Sequence, residues 1–280
     1  MRYRFLGTGA AEGWPAMFCQ CPTCRKVQQL GGGPNYRTRA GGLIDEDLLI
    51  DLSPDIFYQR QLYNLDLGKV NNCLITHPHS DHFHVQSLEM RLTPFAHYEH
   101  PVPKLGVWGD QTVIDYMESM KQREIYNLYD AVEPHLVKPF DQLELDADTR
   151  VLVLPAKHDD RFGCYFYLVM RGGKAMIYGH DTGDFAPEAL AAIRETGVVL
   201  DLVTLDCTNG PQDFPGGHMG IPQNIQVRDK LLDQGSADSH TRFVITHFSH
   251  NSGGVLHEDL VKIAMPLGFE VAYDGMLVEI

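Results

Sequence analysis

Short apolar runs alternate with amphipathic stretches along the whole chain. RYRFLG, GGLI, LLIDL, NNCLITH and KLGVWG, and further on TRVLVLPA, FGCYFYLVM, KAMIYGHD, LDLVTLD and TRFVITH, are short and rich in β-branched and aromatic residues, the pattern of strands. Helical spacing marks PDIFYQRQLYNL, DQTVIDYMESMKQRE, APEALAAIRETG, PQNIQVRDKLLDQ and LHEDLVKIAMPLG. The third begins just after Pro187 and stops at Gly197, which suits a residue preset for a first helical turn and one that ends a last turn. Strands and helices mixed from end to end predict an α/β sandwich in a single domain, residues 1–280. No linker, repeat or low-complexity tract divides it, and residues 92–150 are the least legible stretch.

Several predicted strands end directly in a His or an Asp: LITH at His77, LPAKH at His158, IYGHD at Asp181 and VITH at His247. Side chains presented from strand ends into loops are how α/β folds build a site on a rigid base.

Composition narrows what such a site could serve. The chain has 280 residues, 44% apolar and 21% charged, an ordinary globular composition. Its net charge is −14 and it has no Lys/Arg run, which argues against extended nucleic acid as a partner. Small anions stay open as substrates if metal ions supply the positive charge locally. No apolar stretch approaches the roughly 20 residues that span a bilayer. The opening MRYRFLGTGAAEG reaches a glycine turn at once and reads as a first strand, so a cytoplasmic home is the expectation. Six cysteines in a chain of this length argue against a disulfide framework, and 14 histidines point toward metal chemistry.

THPHSDH, residues 76–82, is the strongest signal. It places His77, His79, Asp81 and His82 within one turn after a strand, more ligands than one tetrahedral ion takes from one loop. Two neighbouring ions explain the spacing, and nitrogen and oxygen donors suit either Zn²⁺ or Mn²⁺. The run CQCPTC supplies three more chelating side chains, Cys19, Cys21 and Cys24, open to reading as a redox trio, buried thiols or a metal site. Cys73, Cys164 and Cys207 lie inside apolar strands and read as core.

With H-x-H-x-D-H in place, the chain resembles the metallo-β-lactamase-fold hydrolases, an αββα sandwich of two mixed sheets flanked by helices. The resemblance implies that His77, His79 and His158 hold one divalent ion and Asp81, His82 and His247 the other, bridged by Asp181 and a hydroxide. His79 stands where the redox-active flavodiiron branch carries Glu, which favours hydrolysis. GTGAAEGWPAMFCQCPTC, THFSH and YDGM resemble more closely the phosphoribosyl cyclic phosphodiesterases of the bacterial carbon–phosphorus lyase pathway. That likeness implies a structural zinc held by Cys19, Cys21, Cys24 and His250, with an N-terminal cysteine loop over about residues 15–35. It also implies His218, in FPGGHMGI, as general acid. The catalytic assignments are therefore His218 and Asp81. The expected substrate is a small cyclic phosphate such as 5-phosphoribosyl 1,2-cyclic phosphate, in phosphonate metabolism, and the expected assembly a homodimer.

Arg37, Arg39 and Lys157 are candidate phosphate clamps, and Asp184 and Asp206 candidate partners for ligand imidazoles. Because His247 and His250 share one short loop, the zinc is expected to pin the N-terminal segment onto the catalytic loop. Other readings within the fold are a tRNA 3′-processing endonuclease, which needs a basic arm this chain lacks, and a lactone or thioester hydrolase. A non-catalytic accessory protein is disfavoured by the intact ligand set.

Overall fold

The computed structural model describes residues 1–121, 127–251 and 253–280. Two seven-stranded sheets face each other. The first contains β1 (Arg2–Gly7), β2 (Gly41–Ile44), β3 (Leu48–Ile50), β4 (Asn72–Leu74), β5 (Leu105–Gly109) and β6 (Val132–Leu136). The second contains β7 (Gln142–Glu144), β8 (Thr149–Pro155), β9 (Tyr165–Arg171), β10 (Lys174–Gly179), β11 (Leu202–Asp206), β12 (Arg242–Thr246) and β13 (Glu270–Val271), and β14 (Leu277–Glu279) returns to flank β1 in the first. Each sheet is antiparallel at one end and parallel at the other: β3 to β6 run parallel in the first, β10 to β13 in the second.

The strands read as almost continuous apolar runs because both their faces are buried. In β8, Val151 and Val153 face the core between the sheets while Leu152 and Leu154 face the outer helical layer, the two-residue alternation of a strand. β9 and β10 alternate likewise, with Tyr167 and Tyr178 inward and Leu168 and Ile177 outward. Helices α4 (Pro187–Glu195), α5 (Ile221–Asp233) and α6 (His257–Ala264) cover the second sheet, and α2 (Ile56–Tyr63) and α3 (Gln111–Lys121) cover the first. Residues 122–124 of the predicted helix DQTVIDYMESMKQRE lie outside the described residues. Among the described residues no helix is long and apolar enough to cross a membrane.

One element departs from the expected cysteine loop: Pro22–Leu30 form a helix, α1. Cys21 is its N-cap, accepting from the Cys24 amide, and Gly31 ends it at φ 71°. The glycine stretch GTGAAEG is the strand-to-loop turn it was expected to be. A Cβ on Gly7 would lie 2.1 Å from the Arg39 carbonyl, so only glycine lets the end of β1 pack there.

The sheets are tied by tyrosines. Tyr167 donates to the Ile75 carbonyl at 2.6 Å, and Tyr178 to Asp51 at 3.0 Å. Both acceptors lie where β3 and β4 end, so the loops of the two sheets meet at one rim.

Candidate metal centre

Thr76–His82 follow β4 and close as a compact turn. The Thr76 amide donates to Asp51, and the His82 and Phe83 amides both donate to the His79 carbonyl. That geometry gathers His77, His79, Asp81 and His82 at one point, where His158, Asp181 and His247 join them from loops after β8, β10 and β12. His79, Asp81, His158, Asp181 and His247 line a cavity, with His77 and His82 buried behind it. Asp51, Asp181 and His247 take positive φ of 62°, 46° and 61°, a strained backbone for side chains that a built site over-determines.

Two groups of ligand atoms form. In the first, His77 Nε2 and His158 Nε2 lie 2.9 and 3.3 Å from His79 Nδ1. Asp181 Oδ2 sits 3.4 Å from His77 Nε2 and 3.9 Å from His158 Nε2. In the second, His82 Nε2 is 3.3 Å from Asp81 Oδ2 and 2.7 Å from Asp181 Oδ2, close but not aligned for a hydrogen bond. His247 completes this group, whose ligand atoms lie within 4.8 Å of one another. Ligand atoms about 2.0–2.1 Å from a tetrahedral ion are roughly 3.4 Å apart, so both groups have the size of a metal site, with Asp181 shared.

Two observations test whether these residues fit divalent ions. His82 Nε2 and His247 Nε2 are buried without a hydrogen-bond partner, an expensive arrangement unless a cation satisfies them. The other nitrogen of every ligand imidazole faces an acceptor. His77 Nδ1 donates to Thr76 Oγ1 at 3.0 Å, His79 Nε2 to Asp159 at 3.1 Å and His82 Nδ1 to Asp51 at 2.7 Å. His158 Nδ1 donates to the Gly217 carbonyl at 3.1 Å and His247 Nδ1 to Thr208 Oγ1 at 2.8 Å. Each outer bond fixes the tautomer that leaves the inner nitrogen bare, ready to ligate. The residues fit.

The protonation of the cluster follows from burial and neighbours. Burial and the nearby imidazoles push His77 well below its usual range, and burial lowers His158. Against burial, the carboxylates of Asp51, Asp81 and Asp181 raise His82. Asp181 stays ionised despite full burial because His247 and His82 face it.

His218 stands beside the ligands on the cavity wall. Its Nδ1 is 3.0 Å from Asp206 Oδ2 and 3.1 Å from Asp181 Oδ1. Against burial, Asp206 and then Asp181 push it up to about 11. Asp206, also bonded by the Thr208 and Met219 amides, is the fixed end of this pair. Gly217, before His218, packs closely on the His158 backbone, where a Cβ would lie 2.9 Å from the His158 carbonyl.

The cavity holds about 400 Å³, and Glu12, Thr208, Asn209, Gln212 and Asn251 complete its wall. None of the expected phosphate clamps lines it. Arg37 is buried, bonding Thr8 and the Ala272 carbonyl with its guanidinium 4.2 Å over the Phe248 ring. Arg39 is paired with Asp55 at 3.0 Å, and Lys157 is exposed. Asp184 bonds Lys230 at 2.5 Å instead of orienting a ligand. Sequence reasoning missed Asp51, Asp159 and Thr208 as partners of the ligand histidines. Asp51 carried the same signal as Asp181, an acidic residue ending an apolar strand.

A second cluster lies on the far side of Glu12. Cys19 and Cys21 Sγ are 3.8 and 3.7 Å from His250 Nδ1, and Cys24 closes the group. With thiolates about 2.3 Å from zinc, edges of roughly 3.6–3.8 Å are what a tetrahedron needs. The Cys24 amide lowers the Cys21 thiol to about 6, while burial raises Cys24 to about 12. His250 Nε2 is 3.6 Å from Glu12, and Ser249 also donates to that carboxylate.

Known proteins share this architecture. A sequence model of the β-lactamase superfamily domain matches residues 46–248. The octanoyltransferase of Porphyromonas gingivalis is 30% identical over 288 residues, covering 99% of this chain and 51% of its own. This chain thus spans about half the length of that relative. A diphosphatase of the PhnP family superposes with a TM-score of 0.74 at 20% identity, covering 100% of this chain and 98% of its own. Zinc-bound PqqB from Methylobacterium extorquens superposes with a TM-score of 0.71 at 17% identity, covering 100% of each chain. With the matched domain taking up most of its length and the two-sheet architecture shared, the chain belongs to the β-lactamase superfamily and has the metallo-β-lactamase hydrolase fold.

Proposed function

We propose that this protein is a phosphodiesterase that uses two divalent ions to open a small cyclic phosphate, with a ribose 1,2-cyclic phosphate as the expected substrate class. The observation that carries the reading is the orientation of the ligand imidazoles, each held at one nitrogen by an outer acceptor, with the other nitrogens of His77, His82 and His158 2.7–3.9 Å from the shared Asp181. His77, His79 and His158 would hold one ion and Asp81, His82 and His247 the other, with Asp181 between them. Zn²⁺ or Mn²⁺ suits these donors. Bound there, such a pair supplies an activated water at neutral pH and positive charge for the phosphoryl oxygens.

The chain supplies the rest. His218 is held at Nδ1 by Asp206, which leaves Nε2 to carry the proton that the departing oxygen takes up. Asn209, Gln212 and Asn251 offer neutral amides for ring hydroxyls. The described residues lining the cavity include no Lys or Arg, which does not favour a tRNA-gripping endonuclease. The third set of charges, Cys19, Cys21, Cys24 and His250, would hold a structural zinc away from the reaction.

One observation favours a second reading, acyl hydrolysis: the 30% identity with half of an octanoyltransferase. A single experiment separates the two. Protein of measured metal content is assayed against ribose cyclic phosphates, cyclic nucleotides, linear phosphodiesters, and acyl thioesters. A preference for small cyclic phosphates supports the proposal. A preference for thioesters replaces it.

A further inference from the structure

His79 is the most exposed imidazole of the first ligand group, its side chain 31% accessible against 1% for His77 and 10% for His158. Packing therefore does least to hold it. Its Nδ1 is the atom on which that group converges, with His77 and His158 nitrogens 2.9 and 3.3 Å away. On the outside, His79 Nε2 lies 3.1 Å from Asp159 Oδ2, and the Phe162 ring stands edge-on to it at 5.7 Å and 88°.

Asp159 is itself clamped. Arg161 Nε lies 2.9 Å from Oδ1 and 3.1 Å from Oδ2, Arg161 Nη2 is 2.6 Å from Oδ2, and the Arg161 amide donates to Oδ1 at 3.0 Å. Both Asp159 oxygens accept from Arg161, which holds the carboxylate facing His79. The other two imidazoles of the group lean on neutral oxygens, those of Thr76 and Gly217.

We infer that Asp159, locked by Arg161, is a positioning residue that fixes the tautomer and ring plane of His79 and thereby sets the affinity of the first ion site. With Nε2–H committed to Asp159, Nδ1 is bare and aimed inward. Without that acceptor the imidazole is free to protonate Nδ1 or rotate into the cavity, and the group loses one of its ligands. Outer carboxylate partners of this kind are worth about 10- to 100-fold in metal affinity. The inference rests on the metal centre and not on the identity of the substrate.

The test is a titration of metal-free protein with Co²⁺ against a chromophoric chelator, read by visible absorption. Asp159→Ala should weaken one of the two nitrogen-ligated sites by about 10- to 100-fold and leave the other near its wild-type affinity. Asp159→Asn, which keeps an acceptor, should recover part of the loss, and Arg161→Gln should give a smaller fall. The thiolate-to-cobalt band of the cysteine site should be unmoved in all three variants. Wild-type affinity in Asp159→Ala overturns the inference alone, as does an equal weakening of the cysteine site, which would mark general destabilisation. Failure of the wild type to bind Co²⁺ outside the cysteine site removes the metal centre and the inference with it.

Discussion

His218 is where the chemistry of a side chain can be separated from that of the ions. Asp206 orients it through Nδ1, and Asp206 is anchored by two backbone amides, so the pair is rigid before substrate arrives. If His218 donates the proton to the leaving oxygen, His218→Gln should lower kcat by about 10²- to 10⁴-fold on a diester with an alkoxide leaving group. A nitrophenolate leaves without that proton, so its rate should fall much less, with both metal contents unchanged. Equal losses on the two substrates would show that His218 only helps to bind them. The candidate ligands were readable because one short motif concentrates chelating residue types after an apolar strand. Their outer partners were not, since Asp159 meets His79 across 80 residues and Asp51 meets His82 across 31. Arg37 misled for a related reason: an arginine's type says nothing about whether it reaches the cavity or, as here, the interior behind Phe248.

At the level of elements, the strands that escaped sequence reading are β6, β7, β13 and β14, and these are the four sheet edges. An edge strand needs little apolar surface, is often short, and can tolerate a proline such as Pro134. Interior strands, buried on both faces, announce themselves. Helix α1 escaped because Cys24 and Val27 are its only buried residues, too few to make a stripe. That helix allows a clean test of what the cysteine site does. The segment from Thr8 to Ala10 bonds the Phe248 backbone in both directions, directly beside His247. Trp14, Ala16, Cys24, Val27 and Leu256 pack behind it. Serine is as good an N-cap as the helix could ask for, so Cys21→Ser removes a metal ligand while sparing α1. The variant should lose the cysteine-bound ion, keep the catalytic pair, and lose activity by up to about 10²-fold through misplacement of His247. Full turnover in protein shown to lack that ion would mean the site does not support the catalytic loop.

Across the whole molecule, the two sheets contribute to the cluster from opposite sides: His77 to His82 come from the first, and His158, Asp181 and His247 from the second. Divalent ions bound there would act as a clasp at the rim of the sandwich, where Tyr167 and Tyr178 already reach across. They would also neutralise buried carboxylates in a chain whose net charge is −14. Metals that bind only the folded state stabilise it by mass action, about 4 kcal/mol for a site at a thousandfold excess over its Kd. In a protein of this size each kcal/mol moves Tm by roughly 2 °C or a little more, so stripping one such site should lower Tm on the order of 8 °C. Selective chelation monitored by calorimetry, with the cysteine-bound ion retained, measures this directly. Restoring Zn²⁺ or Mn²⁺ should restore Tm in proportion to occupancy. A Tm indifferent to the catalytic pair would mean that the inter-sheet core of Tyr3, Leu74, Tyr167 and Tyr178 closes the rim unaided, and that the orphaned nitrogens of His82 and His247 are satisfied by water.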